Sequence, residues 1–261
     1  MIEYRFIFQG GPALRFQVEL DRGAVDPVES GPHADWARLC THQCATCPLK
    51  PAASPYCPAA VDLERIVEQF RGVLSFESVR VEVDTPQRSY AKTCDAQTGL
   101  RSLMGLVMAT GACPWFRQLR ALAGTHLPFA SIEETLFRVA GSYLIQQYYV
   151  ATGGGEPDFG MVKLFELYSA LWEVNQTFKR RLEMACMSDA NLNAIGALSS
   201  ISQGISISLQ DQLQGLKEQF AGHPIGLPVA SPGPVPSPAQ ELRGISPEAL
   251  PGQPKSPVRS P

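Results

Sequence analysis

The chain has 261 residues, 44% hydrophobic and 18% charged, which is enough apolar material for a folded core over most of its length. Lys and Arg number 22 against 25 Asp and Glu, a formal net charge of -3, so the basic face that duplex nucleic acid needs is not expected. No stretch of about 18 apolar residues is present to span a membrane, and Met1-Ile2-Glu3-Tyr4-Arg5 does not read as a secretory signal.

Residues 2–9 and 13–20 alternate apolar and polar side chains around Gly10-Gly11-Pro12, the pattern of a β-hairpin whose turn relies on glycine. A polar linker and Trp36 lead into a loop, residues 40–57, that carries Cys40, Cys44, Cys47 and Cys57 in the order C-x3-C-x2-C-x9-C. A short amphipathic helix is predicted from Val61 to Phe70, with Val61, Ile66, Val67 and Phe70 near one face and Gly72 as its stop. Residues 76–92 alternate again, Val79, Val81 and Val83 against Arg80, Glu82 and Asp84, until Pro86 interrupts or ends the strand. Residues 1–95 are thus predicted to form an antiparallel α+β domain with one helix and a cysteine loop.

From Asp95 the period becomes helical. Leu100, Leu103, Met104, Val107 and Met108 mark a helix ending near Gly111, and Pro114 opens a shorter one. Ser131 and Glu134 form a capping box before a helix carrying Leu136, Val139, Tyr143 and Leu144, which Gly153-Gly154-Gly155 breaks. Asp158 can cap a long helix with Met161, Leu164, Phe165, Tyr168, Leu171, Trp172, Asn175, Phe178 and Leu182 on its stripe. Ser188 or Asp189 caps a last helix through Leu192, Ile195, Leu198, Ile205, Leu209, Leu213, Leu216 and Phe220. The two long helices, joined by a short connection, predict an antiparallel pair. Residues 96–221 therefore read as a mainly helical domain. Eleven of the 22 prolines fall in residues 222–261, with no aromatic residue, and predict a disordered Pro-rich tail. Its Pro251–Pro254 step formally fits P-x-x-P, a match that arises readily in such sequences.

The cysteine loop is the one segment whose spacing points to particular chemistry. Seven cysteines without an export signal predict a cytoplasmic protein whose clustered thiols bind metal before they form disulfides. Zinc takes four soft ligands in a tetrahedron, and pairs spaced C-x2-C or C-x3-C supply two at a time. Cys40, Cys44, Cys47 and Cys57 are therefore the expected ligands of a structural Zn2+, a staple for a small sheet domain. A [4Fe-4S] cluster on the same residues is the alternative, and Cys47-Pro48 and Cys57-Pro58 occur in such loops too. His42 lies within the loop and is read as a solvated neighbour.

C-x3-C-x2-C also resembles the cluster motif of radical S-adenosylmethionine enzymes, with Gly154-Gly155-Glu156 resembling their GGE stretch. Thr46 stands where those enzymes carry an aromatic, the GGE follows a helix, and no strand–helix series exists to build their barrel. That reading is set aside. Cys113 heads a helix, where the backbone dipole lowers a thiol pKa, and His126 follows, so a thiolate–imidazole site is a further candidate. The plainer reading of Cys113 is a small buried side chain, of His126 a loop hydrogen bond, and of Glu133 with Arg138 a solvated face. Ser188-Asp189-Ala190-Asn191-Leu192-Asn193 offers polar groups at a helix start, as caps commonly do.

The residues of Cys40–Cys57, together with Met108-Ala109 through Cys113-Pro114, His126-Leu127-Pro128-Phe129, Glu134-Thr135 and Asp189-Ala190-Asn191, resemble those of an uncharacterised bacterial protein family. The resemblance covers about residues 1–220 and implies a soluble bacterial protein without assigning a catalytic role. Function rests on the residues themselves. The expectation is a non-enzymatic α+β module for binding or assembly, with a zinc staple and a protein partner met through the long helices. The alternative is an iron–sulfur redox protein or an enzyme using the Cys113–His126 region.

Overall fold

A computed structural model describes residues 1–22 and 32–221. The Pro-rich segment 222–261 lies outside the described residues, as does most of the linker before Trp36. The expected hairpin forms from β1 (Ile2–Phe8) and β2 (Leu14–Val18). Its turn places Gly10 at φ +72, a left-handed conformation that glycine adopts without steric cost. The alternating run 76–92 becomes a second hairpin, β3 (Ser78–Asp84) and β4 (Ser89–Asp95), folded back where Pro86 denies the ladder a donor. The four strands pair antiparallel in the order β2-β1-β3-β4. Tyr4 sits between Phe16 and Val83 in register, and Phe6 between Leu14 and Val81. One face of the sheet is therefore apolar across β1, β2 and β3, and on β4 it carries Tyr90 and Cys94 with Lys92 between them, opposite Val81.

Helix α1 (Pro58–Gln69) covers part of that face with Leu63, Ile66 and Val67. It begins three residues earlier than the hydrophobic pattern indicates, with Pro58 at its first position, where a missing N–H costs nothing. Phe70 ends it and packs its ring against Phe6, Phe16 and Phe8. The rest of the face is covered by α2 (Ala96–Thr110), capped by the Asp95 carboxylate accepting from the Thr98 amide at 2.8 Å. At Gly99 the helix touches the sheet so closely that a Cβ would lie 2.7 Å from the Phe6 ring and 2.8 Å from Val81. The change from strands to helices at residue 95 is consequently not a break in the core. Tyr4, Phe70, Leu103, Leu136, Phe178 and Ile205 belong to one continuous apolar cluster.

After α2 the chain makes a 3-10 turn (Phe116–Leu119) and a short α3 (Arg120–Ala123). The Ser131–Glu134 capping box then starts α4 (Ile132–Thr152) as expected. Asp158 accepts from the Val162 and Lys163 amides at 3.1 and 2.8 Å and so serves the start of α5 (Val162–Leu182), although Met161 at φ +57 occupies the cap position. Helix α6 (Ala190–Ala221) lies antiparallel to α5: Asn175 Nδ2 donates to Ser202 Oγ, while Gly196 faces Lys179. Its Ser- and Gly-rich stripe permits this close approach, so packing compensates for weak helix propensity. Leu209, Leu216 and Phe220 of that stripe lie outside the described side chains. No helix among the described residues is long and apolar enough to cross a membrane.

Candidate metal centre

The cysteine loop is closed at its neck by backbone bonds. Leu39 N–H donates to the Pro55 carbonyl and Cys57 N–H to that of Ala37, both at 2.8 Å, and Arg38 bridges Tyr56. Within it, Cys47 N–H donates to the Cys44 carbonyl at 3.0 Å, the tight turn that C-x2-C spacing favours. Trp115 Nε1 donates to the Thr46 carbonyl at 3.1 Å, which ties the loop tip to the segment following α2. Pro48 and Pro114 line the same groove beside that bond.

This docking brings a fifth cysteine to the loop. Cys44 lies within electrostatic reach of Cys47 and Cys57, and Cys113 within reach of Cys57 and Cys44. Cys44, Cys47 and Cys57 are half-buried and Cys113 is buried. Cys40 is exposed, and its charged neighbour is the exposed Arg38. Burial pushes the Cys44 thiol up to about 11, with the like charges of Cys57 and Cys47 adding to it and Arg181 opposing. Burial also raises Cys57, against Arg181 and the backbone amides of Ala60 and Ala59. Among the described residues, no three His, Cys, Asp or Glu side chains lie close enough together to hold a metal ion. The thiols are neighbours that have not converged.

Arg181 occupies the centre of this arrangement. It is only 2% exposed, yet its guanidinium meets no carboxylate within 4 Å among the described residues. It donates instead to four carbonyls of the loop, through Nη1 to Trp36 at 2.7 Å and Arg38 at 2.5 Å and through Nη2 to Leu39 at 3.3 Å and His42 at 3.2 Å. The planar fork of arginine suits two separate pairs of acceptors in a way a lysine ammonium does not. His42 itself is exposed, with φ 45, and contributes only its carbonyl.

The model of one protein family, described as a domain of unknown function (DUF6901), matches residues 2–221, from the first strand through the last helix. The chain belongs to this family. No curated protein and no solved structure matches it. In this DUF6901 chain the cysteine loop, Arg181 and Cys113 all fall inside the matched span.

The thiolate–imidazole pair considered for Cys113 and His126 does not form. Burial pushes the Cys113 thiol up to about 12, which outweighs the opposing amides of Phe116 and Trp115. His126 Nε2 is engaged by the Tyr4 hydroxyl at 2.5 Å, and that hydroxyl also meets Ser102 Oγ at 2.8 Å. Burial, assisted by Arg138, holds the His126 imidazole down at about 4, so it is neutral at neutral pH. Because the unfolded chain protonates this histidine near its ordinary 6.5, the native state is favoured above that pH and loses the advantage as pH falls toward 4. We expect a stability loss of roughly 3 kcal/mol across that interval from this group. Urea melts at about pH 7 and about pH 5 check it, since His126→Gln should flatten the difference. An unchanged acid limb in the variant contradicts the assignment.

Asp189 accepts from the Ser75 amide at 2.7 Å and its hydroxyl at 2.8 Å, and Asn191 Nδ2 donates to the Val67 carbonyl at 3.2 Å. These groups stitch the start of α6 to α1 and to the segment that follows it, with Asn191 Oδ1 left buried without a partner. Glu134 is used by the capping box, but Arg138 is not on a solvated face with Glu133. It is half-buried and donates to the Leu122 carbonyl at 2.8 Å. In the sequence Lys179-Arg180-Arg181 reads as basic residues at a helix C-terminus, which gives Arg181 no distinguishing mark. Its position three residues after Phe178, on the buried stripe, was the available signal.

Proposed function

We propose that this protein is a metal-binding module for binding or assembly, with one zinc held by the thiolates of Cys44, Cys47, Cys57 and Cys113. The observation that carries the reading is the buried Arg181 guanidinium, without a carboxylate in reach among the described residues and beside Cys44 and Cys57. A buried cation is costly unless an anion neutralises it. A zinc tetrathiolate carries net negative charge and supplies that anion. The Cys–Pro steps at 47–48, 57–58 and 113–114 support the reading too, since a following proline holds each cysteine backbone out of the helical region. Cys40, exposed on the loop, is left out of the ligand set. A role in assembly is supported by α4, which leaves Phe137, Ile145 and Tyr149 more than half exposed on one broad side.

Elemental analysis and a visible spectrum of anaerobically purified protein test this. We expect about one zinc per chain and no colour. Cys44→Ser and Cys113→Ser should each lose the metal and melt several degrees lower, while Cys40→Ser keeps both properties. Metal lost from Cys40→Ser and kept by Cys113→Ser returns the ligand set to the four loop cysteines. No bound metal, with melting unchanged by added zinc, rejects the proposal. Iron with acid-labile sulfide and absorption near 400 nm favours the second reading, a [4Fe-4S] cluster, for which the three Cys–Pro steps are the supporting feature.

A further inference from the structure

A second site lies away from the thiols, in a half-open cavity of ≈ 160 Å³ between α2, the segment around α3, α4, α5 and α6. Its walls are chiefly apolar, with Leu106, Leu122, Leu198 and Ile201 among them. Two formally charged residues line it, Arg101 and Arg138, and neither Asp nor Glu does. Neither arginine has a carboxylate within 4 Å among the described residues. Arg101 reaches only the Ala130 carbonyl at 3.4 Å, and Arg138 only that of Leu122. Arg138 Nε is buried without a hydrogen-bond partner, and so is Oδ1 of Asn175 in the wall that α5 contributes. Asn175 is 4% exposed and spends its amide on Ser202, which leaves that carbonyl oxygen as an orphan acceptor.

Buried polar groups in native proteins normally find partners, and exceptions call for an explanation. Asn175 Oδ1 is an acceptor and so cannot meet a carboxylate; the orphan that an anion would satisfy is the Arg138 Nε donor. The Glu134 carboxylate one turn earlier on α4 acts on Arg138 only from beyond ion-pair distance and leaves its Nε donor unused. His126, which also lines the cavity, is bonded to Tyr4 and as an imidazole cannot supply an anion. An engineered apolar cavity of about 150 Å³ accommodates benzene, which sets the size of an occupant here.

We infer that this cavity binds a small organic monocarboxylate with an apolar body the size of a benzene ring, its carboxylate on Arg138 and its ring among the leucines. An arginine fork binds a carboxylate through two parallel hydrogen bonds, so anionic ligands are preferred over neutral ones of the same shape. Nothing in this inference depends on the thiols.

Titration of the full chain with sodium benzoate and, separately, benzamide at constant ionic strength tests it, read by saturation-transfer NMR and thermal melting. Benzoate should bind saturably, raise the melting temperature, and bind about tenfold tighter than benzamide. Arg138→Met should remove that preference while leaving weak benzamide binding. Ile201→Phe, which fills the cavity, should abolish both. Absence of saturable benzoate binding, or equal affinity for benzamide in the unmodified protein, overturns the inference without recourse to any variant. Undiminished benzoate binding by a folded Ile201→Phe protein also overturns it, because the site then lies elsewhere.

Discussion

Arg181→Leu is expected to destabilise the protein by at least about 3 kcal/mol, because it leaves four loop carbonyls without their donor. For a chain of this size that corresponds to a fall in melting temperature of roughly 10 °C. The effect exceeds an ordinary surface change since the guanidinium is almost wholly enclosed and its bonds join α5 to residues more than a hundred positions away. Arg181→Lys should be intermediate: the charge survives, but one ammonium has too few directions to serve Trp36, Arg38, Leu39 and His42 together. If the thiols hold zinc, Arg181→Leu also weakens its retention, as the positive charge nearest Cys44 and Cys57 disappears. Thermal melts with and without added zinc check both statements. A melting temperature within two or three degrees of the parent would show that the loop is held by its own neck.

Phe70→Ala should cost about 3–5 kcal/mol, the range for removing a fully buried aromatic side chain. The Phe70 ring has no solvent exposure, and its centroid lies 5.0 Å from that of Phe6, 5.9 Å from Phe16 and 6.1 Å from Phe8. It closes the joint between α1 and the two strands of the first hairpin. Truncation opens a void there that a sheet already braced on the same face by α2, at Gly99 against Phe6 and Val81, has little freedom to close. Phe70→Leu keeps most of the volume and should cost less than about 2 kcal/mol. Urea denaturation of the pair decides the matter. Equal losses for both variants would mean that shape, not filled volume, is what the site requires.

The elements that were legible are those whose signals are local. Alternation in residues 2–9 and 13–20 follows from a pleat that sends successive side chains to opposite faces, and the hairpin appears where it was read. Ser131 with Glu134 announces a helix start because a short polar side chain satisfies an amide two or three residues away, and Asp95, read only as the point where the period changes, caps α2 in the same way. The cysteine loop was visible as a cluster for the same reason, its members being close along the chain. Asp158 was recognised as serving the start of α5, yet the left-handed Met161 that takes the cap position left no trace in composition.

What remained hidden is long-range. Cys113 stands 56 residues beyond Cys57 in the sequence, and its approach depends on α2 crossing the sheet and Trp115 bonding to Thr46. Arg181 looks like a helix-end charge until α5 packs against the loop. His126 reads as a loop residue until Tyr4, in the first strand, claims its imidazole. The sequence by itself determined the kinds of element, their order and the local loop chemistry, because periodicity, capping and spacing act over a few residues. Only the tertiary structure decided that the sheet and helices share one core, which thiols become neighbours, and where an unpaired guanidinium is enclosed. Those outcomes depend on contacts between distant segments, as when Arg181 gives its donors to four loop carbonyls with no carboxylate in reach among the described residues.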